Sequence, residues 1–320
     1  VVINKRLEGE RFLRDQQAFA ATLVLRCARS DEESPSGFVF EFVDPLRARS
    51  VNVDGFEVAV ARDLSAPIEY RISKRDKNYL EGFLQPGTTD EGPGLYTVEP
   101  YQPGKIPVVF VHGLLSDPFT WSNAANELRA RPELISRYQL WGFQYPTGEP
   151  FLKSAAVLRG HLNAITKKLD PNGEDSALSQ IILIGHSMGG LVAKLQVTYS
   201  GDQLWNSISK VPLDCLVTTE GTRTALRDAF YFQPVPTVSR VVFLGTPHWG
   251  SPKANRPIGR LGTKLVDEPS SMNEIREQLL RDNPEAFTRE FTRRIPTSID
   301  LLRPESPLLR KMNCLNFSES

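Results

Sequence analysis

The sequence predicts an α/β protein, a doubly wound and mostly parallel sheet preceded by an N-terminal helix and a short β-rich extension. Two observations carry that prediction. From about residue 100 onward, brief apolar runs alternate with amphipathic segments of helical period, the pattern of strands buried on both faces and joined by crossover helices. Two of those runs also end in glycine-bearing turns, "VHGLL" at 111–115 and "GHSMGG" at 185–190, and in such sheets sites gather at the carboxyl ends of the strands. With 320 residues the chain can bury a sizeable core, as one large domain or as a domain with an appendage.

The extension, residues 1–100, is read first. Residues 6–28 place Leu7, Phe12, Leu13, Phe19, Leu23 and Cys27 near helical spacing and predict one amphipathic helix, ended by the polar "SDEESPSG". At Phe38 the period falls to two: Phe38, Phe40 and Phe42 alternate, and "SVNVDGFEVAVA" predicts two short strands about an Asp54-Gly55 turn. "PIEYRIS" at 67–73 predicts another strand. Residues 74–105, rich in Gly, Pro and charge, read as a lead-in to the domain at 101–320.

In that domain "IPVVFV" is the first buried strand, residues 119–130 a helix behind Pro118, and "YQLWGFQY" (138–145) the second strand. The helix ending at Leu169 carries Leu152, Ala155, Leu158, Leu162 and Ile165 on one face and is closed by "DPNG". "IILI" is a third strand, residues 188–199 a helix ending at Gly201, and "RVVFLG" (240–245) a fourth strand. Residues 200–238 read as a cap-like insertion, with an aromatic cluster in "RDAFYFQPVP" suited to a lid or to permanent packing. Residues 272–292 read as a helix.

Composition narrows the function classes. Lys plus Arg equals Asp plus Glu at 38 each, which gives no electrostatic footprint for nucleic acid or an acidic surface. The apolar runs stop at about six residues, far short of the roughly 18 that span a bilayer, so no transmembrane segment is expected. Cys27, Cys215 and Cys314 are scattered, without metal-ligand spacing and without the even count of a disulfide framework. No metal or organic cofactor is expected, and oligomeric state and compartment stay open. The start, "VVINKRLEGE", has neither an initiator Met nor the apolar core of a signal peptide, and reads as a processed or clipped end.

The chemistry concentrates in Gly185-His186-Ser187-Met188-Gly189. This G-x-S-x-G directly follows an apolar strand and opens a helix, the setting in which a strained turn lifts a serine hydroxyl above the sheet edge. Glycines allow the close backbone approaches such a turn requires. His112-Gly113-Leu114, ending the first strand, is expected beside Ser187. The backbone N–H groups of Leu114 and Met188 would then face one oxygen and form an oxyanion hole.

"VVFVHGLLSDPFTW", "IILIGHSMGGLVA" and "VVFLGTPHWGS", in this order, resemble the lipase and esterase branch of the α/β-hydrolases over about residues 105–255. The resemblance implies a serine hydrolase that works through an acyl-enzyme on Ser187, with Leu114 and Met188 as oxyanion donors. Phe119, Trp121 and Trp249, just beyond strand ends, are candidates to line an acyl pocket or to pack around it.

The triad partners are not evident. In that fold they follow the serine as an acid and then a histidine. The only histidine after Ser187 is His248, in "GTPHWGS", where the family has a loop histidine that is not the base. His186 adjoins the nucleophile, His161 sits among surface residues, and His112 is expected to shape the oxyanion loop. Asp214, Asp267 and Asp300 follow Ser187, but none directly follows an expected strand. The 54 residues after Val266 hold no Val and no buried-strand run, whereas the family continues with two strands carrying the acid and the base. The chain is therefore expected to be cut short near 313–320, lacking its last strands; His248 is the base only if it is complete. The expected activity is hydrolysis of a carboxylic ester, lipid or other small acyl ester. The alternatives are acyl transfer or amide cleavage at the same site, and a non-catalytic binding protein on the same fold.

Overall fold

The computed structural model of the chain describes residues 1–3, 12, 17–27, 37–73, 94–255, 270–293 and 298–318. Contacts divide it into two compact units, Val1–Arg75 with Ser122–Arg137, and Asp76–Trp121 with Tyr138–Ser320.

The smaller unit is built from two-stranded ribbons and short helices. Strand β1 (Val2–Ile3) pairs with β2 (Gln17–Ala18), and β3 (Thr22–Cys27) with β4 (Phe38–Val43), both antiparallel. The helix expected over 6–28 is thus corrected at 17–18 and 22–27, which are strands; residues 4–11, 13–16 and 28 lie outside the described residues. Thr22 and Val24 are β-branched, and pairing Leu23 with Phe42 and Leu25 with Phe40 rewards a period of two that the segment also satisfies. Strands β5 (Ser50–Val53) and β6 (Phe56–Ala59) form the expected hairpin, with Asp54 and Gly55 both at positive φ, 50° and 90°, as a two-residue turn requires.

"PIEYRIS" is also corrected: it belongs to helix α1 (Ala66–Ser73). The Asp63 carboxylate accepts from the Ser65 and Ala66 N–H groups and from the Ser65 hydroxyl, bonds that start the helix and hold that carboxyl below its ordinary range. Pro67 sits in the first turn, where its missing N–H costs nothing. Helices α2 (Ser122–Arg129) and α3 (Pro132–Ile135) complete the unit, and the Arg129 guanidinium donates to the Leu64 carbonyl.

The larger unit holds the expected doubly wound sheet. Strand β7 (Gly94–Thr97) is an addition, because 74–105 was expected to be a lead-in without a packed element; Leu95 and Thr97 are buried and the strand pairs antiparallel with β9. Strands β8 (Ile106–Val111) and β9 (Tyr138–Gln144) are parallel neighbours, and every residue of β8 is buried. Helix α4 (Phe151–Leu169) buries the five predicted apolar residues together with Phe151. Strand β10 (Ile181–His186) leads into α5 (Met188–Lys194), which stops five residues before the expected end. There the chain turns into β11 (Thr198–Tyr199). Helix α6 (Glu220–Phe230), capped by the Thr219 hydroxyl, precedes β12 (Val238–Leu244).

The sheet order is β12-β10-β8-β9-β7, with β7 alone antiparallel. β12 is its last strand among the described residues, and Val242 and Leu244 are exposed there.

The helix expected over 272–292 is divided into α7 (Ser270–Asp282) and α8 (Arg289–Arg293). Pro284 follows Asn283, whose side-chain oxygen accepts from the Val217 N–H at 2.7 Å while its amide donates to the Val217 and Leu279 carbonyls. Those bonds replace a further helical turn. Helices α9 (Ser298–Leu301) and α10 (Pro307–Met312) follow, and β13 (Asn316–Phe317) pairs with β11. The aromatic cluster of 227–236 is packed: Phe230 and Phe232 are buried, Phe230 edge-on to Trp205 and Phe232 beneath the Arg159 guanidinium. No helix among the described residues is long and apolar enough to cross a membrane.

Candidate active site

The turn between β10 and α5 sets the geometry. Ser187 has φ 53° and ψ −124°, a backbone conformation that side chains rarely adopt and that costs on the order of 1–3 kcal/mol. Two hydrogen bonds hold it. The Ser187 N–H donates to the Leu244 carbonyl of β12 at 2.9 Å, and its own carbonyl accepts from Gly190 at 3.0 Å.

The neighbouring glycines are needed for space. A Cβ at Gly189 would overlap the carbonyls of Val111 and His112, one at Gly190 would overlap the Thr246 side chain, and one at Gly185 would press on Gly189 and Gly190 backbone. Helix α5 can therefore lie close against β8 and β12 only with this sequence.

The loop after β8 leans on the same turn. A Cβ on Gly113 would stand 3.0 Å from the Ser187 Cβ and 3.2 Å from the His186 carbonyl. The His112 ring is buried, 3.1 Å through Nδ1 from the Gly113 carbonyl, and stacks on Tyr145 at 4.3 Å. The Tyr145 hydroxyl donates to the His112 carbonyl at 2.6 Å, and complete burial raises its pKa, so it stays a donor. Beyond it Leu115, at φ 55°, donates its N–H to the Thr147 hydroxyl.

Leu114 donates its N–H to no described acceptor, and Met188, as the first residue of α5, has none within the helix. Tyr145, Thr147, Leu244 and Thr246 were not identified from the sequence. Their roles depend on pairings between distant strands, which no local motif records.

Of the candidate aromatic residues, Trp121 is buried, stacked on Phe110 at 4.9 Å and edge-on to His186 at 6.3 Å. Phe119 is half-buried, its N–H donating to Asp117, whereas Trp249 is 74% exposed.

His248 is engaged elsewhere. Its ring stands edge-on to Phe243 at 4.8 Å, its carbonyl accepts from the Asn313 amide, and Asn313 in turn accepts from the Lys194 ammonium at 2.8 Å. Burial, and then the Lys194 charge, lower its pKa and favour the neutral ring. Among the described residues, no hydrogen bond joins His248 to Ser187, and no carboxylate pairs with it. Asp214 and Asp300 pair with Arg227 and Arg303, and Asp267 lies outside the described residues. Among the described residues, no group of three or more His, Cys, Asp or Glu is placed to hold a metal ion.

Comparison with known proteins places these features in a family. Residues 108–311 match the model of the alpha/beta hydrolase family, a span that includes the turn after β8, the Ser187 turn and the His248 loop. No match was found among curated proteins. Among solved structures, a lipase of Bacillus licheniformis in mature form is 20% identical, with a TM-score of 0.33 over 60% of this chain and 66% of that one. The same lipase in propeptide form gives 20% identity and a TM-score of 0.32, over 60% and 36%. An enzyme described as degrading N-acyl homoserine lactones is 15% identical, with a TM-score of 0.29 over 67% and 73%. The chain thus spans less than two thirds of the length of either Bacillus lipase structure. With the family model covering well over half of the sequence and the sheet in the order described, the chain belongs to the alpha/beta hydrolase family.

Proposed function

We propose that the chain is a serine hydrolase of carboxylic esters, lipid or other acyl esters, acting through an acyl-enzyme on Ser187. The observation that carries this reading is the Ser187 backbone: a non-glycine residue is held at φ 53° by two hydrogen bonds, with strain that a structural turn would relieve by using glycine.

In this mechanism the Ser187 hydroxyl oxygen attacks the ester carbonyl and yields its proton to a base. The carbonyl oxygen, now negative, is met by the Leu114 and Met188 N–H groups, each such donor lowering the barrier by roughly 3 kcal/mol. Collapse expels the alcohol, which takes the proton, and water then attacks the acyl-enzyme by the same route. His248 is assigned to the brace between its loop and Asn313, not to proton transfer.

A second reading, a binding protein on this fold, is favoured by the lack of any hydrogen bond between Ser187 and a described base. A fluorophosphonate probe separates the two. The expected result is a label on the Ser187 peptide by mass spectrometry, lost in Ser187→Ala, with hydrolysis of p-nitrophenyl esters falling by at least about 10³-fold. Labelling of a different serine overturns the assignment, and binding of the ester without label or turnover favours the second reading.

A further inference from the structure

We propose, resting on the Ser187 reading, that Tyr145 and Thr147 in the loop after β9 are positioning residues that aim the Leu114 N–H, one of the two oxyanion donors. The strands β8 and β9 are parallel neighbours with Val111 beside Phe143, so the loops that follow them leave the sheet side by side. Phe143 and Tyr145, two residues apart, stack their rings at 5.3 Å. Tyr145 then meets His112, and Thr147 meets Leu115.

The route from Tyr145 to Leu114 runs through His112. The Tyr145 hydroxyl donates to the His112 carbonyl at 2.6 Å and its ring stacks on the imidazole at 4.3 Å, with both residues buried. The imidazole in turn places Nδ1 at 3.1 Å from the Gly113 carbonyl, a contact that is a hydrogen bond when Nδ1 carries the proton. That carbonyl and the Leu114 N–H belong to one planar trans peptide and point in opposite directions. Fixing the His112 ring therefore fixes the line along which the Leu114 N–H points. Past Leu114, the buried Thr147 hydroxyl accepts from the Leu115 N–H at 3.3 Å and holds Leu115 at φ 55°. The loop is thus pinned before and after its donor. Toward Ser187 it has no slack, because a Cβ on Gly113 would stand 3.0 Å from the Ser187 Cβ. Tyr145 and Thr147 act through the loop, not on the substrate.

Tyr145→Phe removes the hydroxyl and keeps the ring stack. On p-nitrophenyl butyrate, per active site titrated with a fluorophosphonate, kcat is expected to fall about ten- to hundredfold, somewhat less than the roughly 10²–10³ lost with a whole oxyanion donor, with KM within about twofold. Thr147→Val should lower kcat about two- to fivefold, and Thr147→Ser, which keeps the hydroxyl, should recover most of it. Sulfur is a poor hydrogen-bond acceptor, so the matched thionoester depends less on the oxyanion donors. The ester-to-thionoester ratio of kcat/KM should therefore fall at least about fivefold in Tyr145→Phe. A lower melting temperature with kcat per active site and that ratio unchanged would mark a purely structural tyrosine and overturn the proposal. Should Tyr145→Phe fail to fold, the ratio in Thr147→Val decides, and an unchanged ratio overturns it. Crystal structures need no turnover: in Tyr145→Phe the Gly113–Leu114 peptide should rotate by about 30° or more, enough to weaken a hydrogen bond steeply, and an unmoved peptide overturns the proposal as well. A wild-type chain that neither labels at Ser187 nor hydrolyses the ester overturns the Ser187 reading instead, and the peptide orientation then decides whether Tyr145 sets the loop.

Discussion

Two strand-ending loops lie side by side in the sheet, the turn after β10 and the loop after β12, and both are rich in glycine. They are built for different tasks. After β10, glycines 185, 189 and 190 are in contact with neighbouring backbone or side chains, and the strained residue is a serine. After β12 the left-handed positions are themselves glycines, Gly245 and Gly250, so no strain is stored, and the polar contacts of the loop face Asn313. The second loop serves the first: Thr246 packs on Gly190, and the Leu244 carbonyl fixes the Ser187 N–H. A histidine in sequence reach of a nucleophile is therefore not evidence of a base. On the proposed reading, the nucleophile is the residue held at φ 53° with ψ −124°, and the His248 loop is its brace.

The contrast can be broken most severely at Gly189. Gly189→Ala forces a Cβ onto two backbone carbonyls that cannot yield, and is expected to destabilise by about 3 kcal/mol or more in urea denaturation. Gly245→Ala meets nothing within 4 Å and bears only the left-handed φ, roughly 1–2 kcal/mol. Equal losses would remove the distinction between the packed position at Gly189 and the open one at Gly245.

Ser187→Gly sharpens the claim of strain. Relief of the backbone should exceed the added entropy of the unfolded chain and raise stability by about 1 kcal/mol. A loss of stability on the same assay would show that Ser187 is not strained.

The smallest expected effect belongs to His248. Its pKa lies below the ordinary histidine value of 6.5, so folding favours the neutral ring; that contribution is full above pH 6.5 and lost as pH falls through the folded value. His248→Phe keeps a ring against Phe243, removes the loss, and should flatten stability between about pH 7 and 5 by no more than about half a kcal/mol after solvent screening. Ester hydrolysis should stay within about twofold. Activity abolished by this change would make His248 the base and reverse the comparison.

The parallel strands and the Ser187 turn were legible because their signals are local: buried strands read as unbroken apolar runs, and the G-x-S-x-G turn needs its glycines at fixed places. Residues 22–27 were misread because six residues satisfy both periods, and only the distant Phe38–Val43 strand decides between them. "PIEYRIS" carries strand-like residues, yet Asp63, three residues before the helix, settles it. The break between α7 and α8 depends on Val217, far away in sequence. At the candidate site, the sequence singled out Ser187, Leu114 and Met188. It did not disclose Tyr145 or Thr246, whose importance comes from crossing between strands.

The tie between Lys194 and Asn313 joins residues 119 positions apart, and β11 and β13 close a loop of similar length. Closure over such a distance is entropically slow, so contacts of this kind form after the more local ones. The brace on the His248 loop is thus expected among the later parts to assemble in folding. Early in folding the serine turn exists as a sequence of permissive glycines, and its fixed geometry arrives when β12 brings the Leu244 carbonyl to the Ser187 N–H.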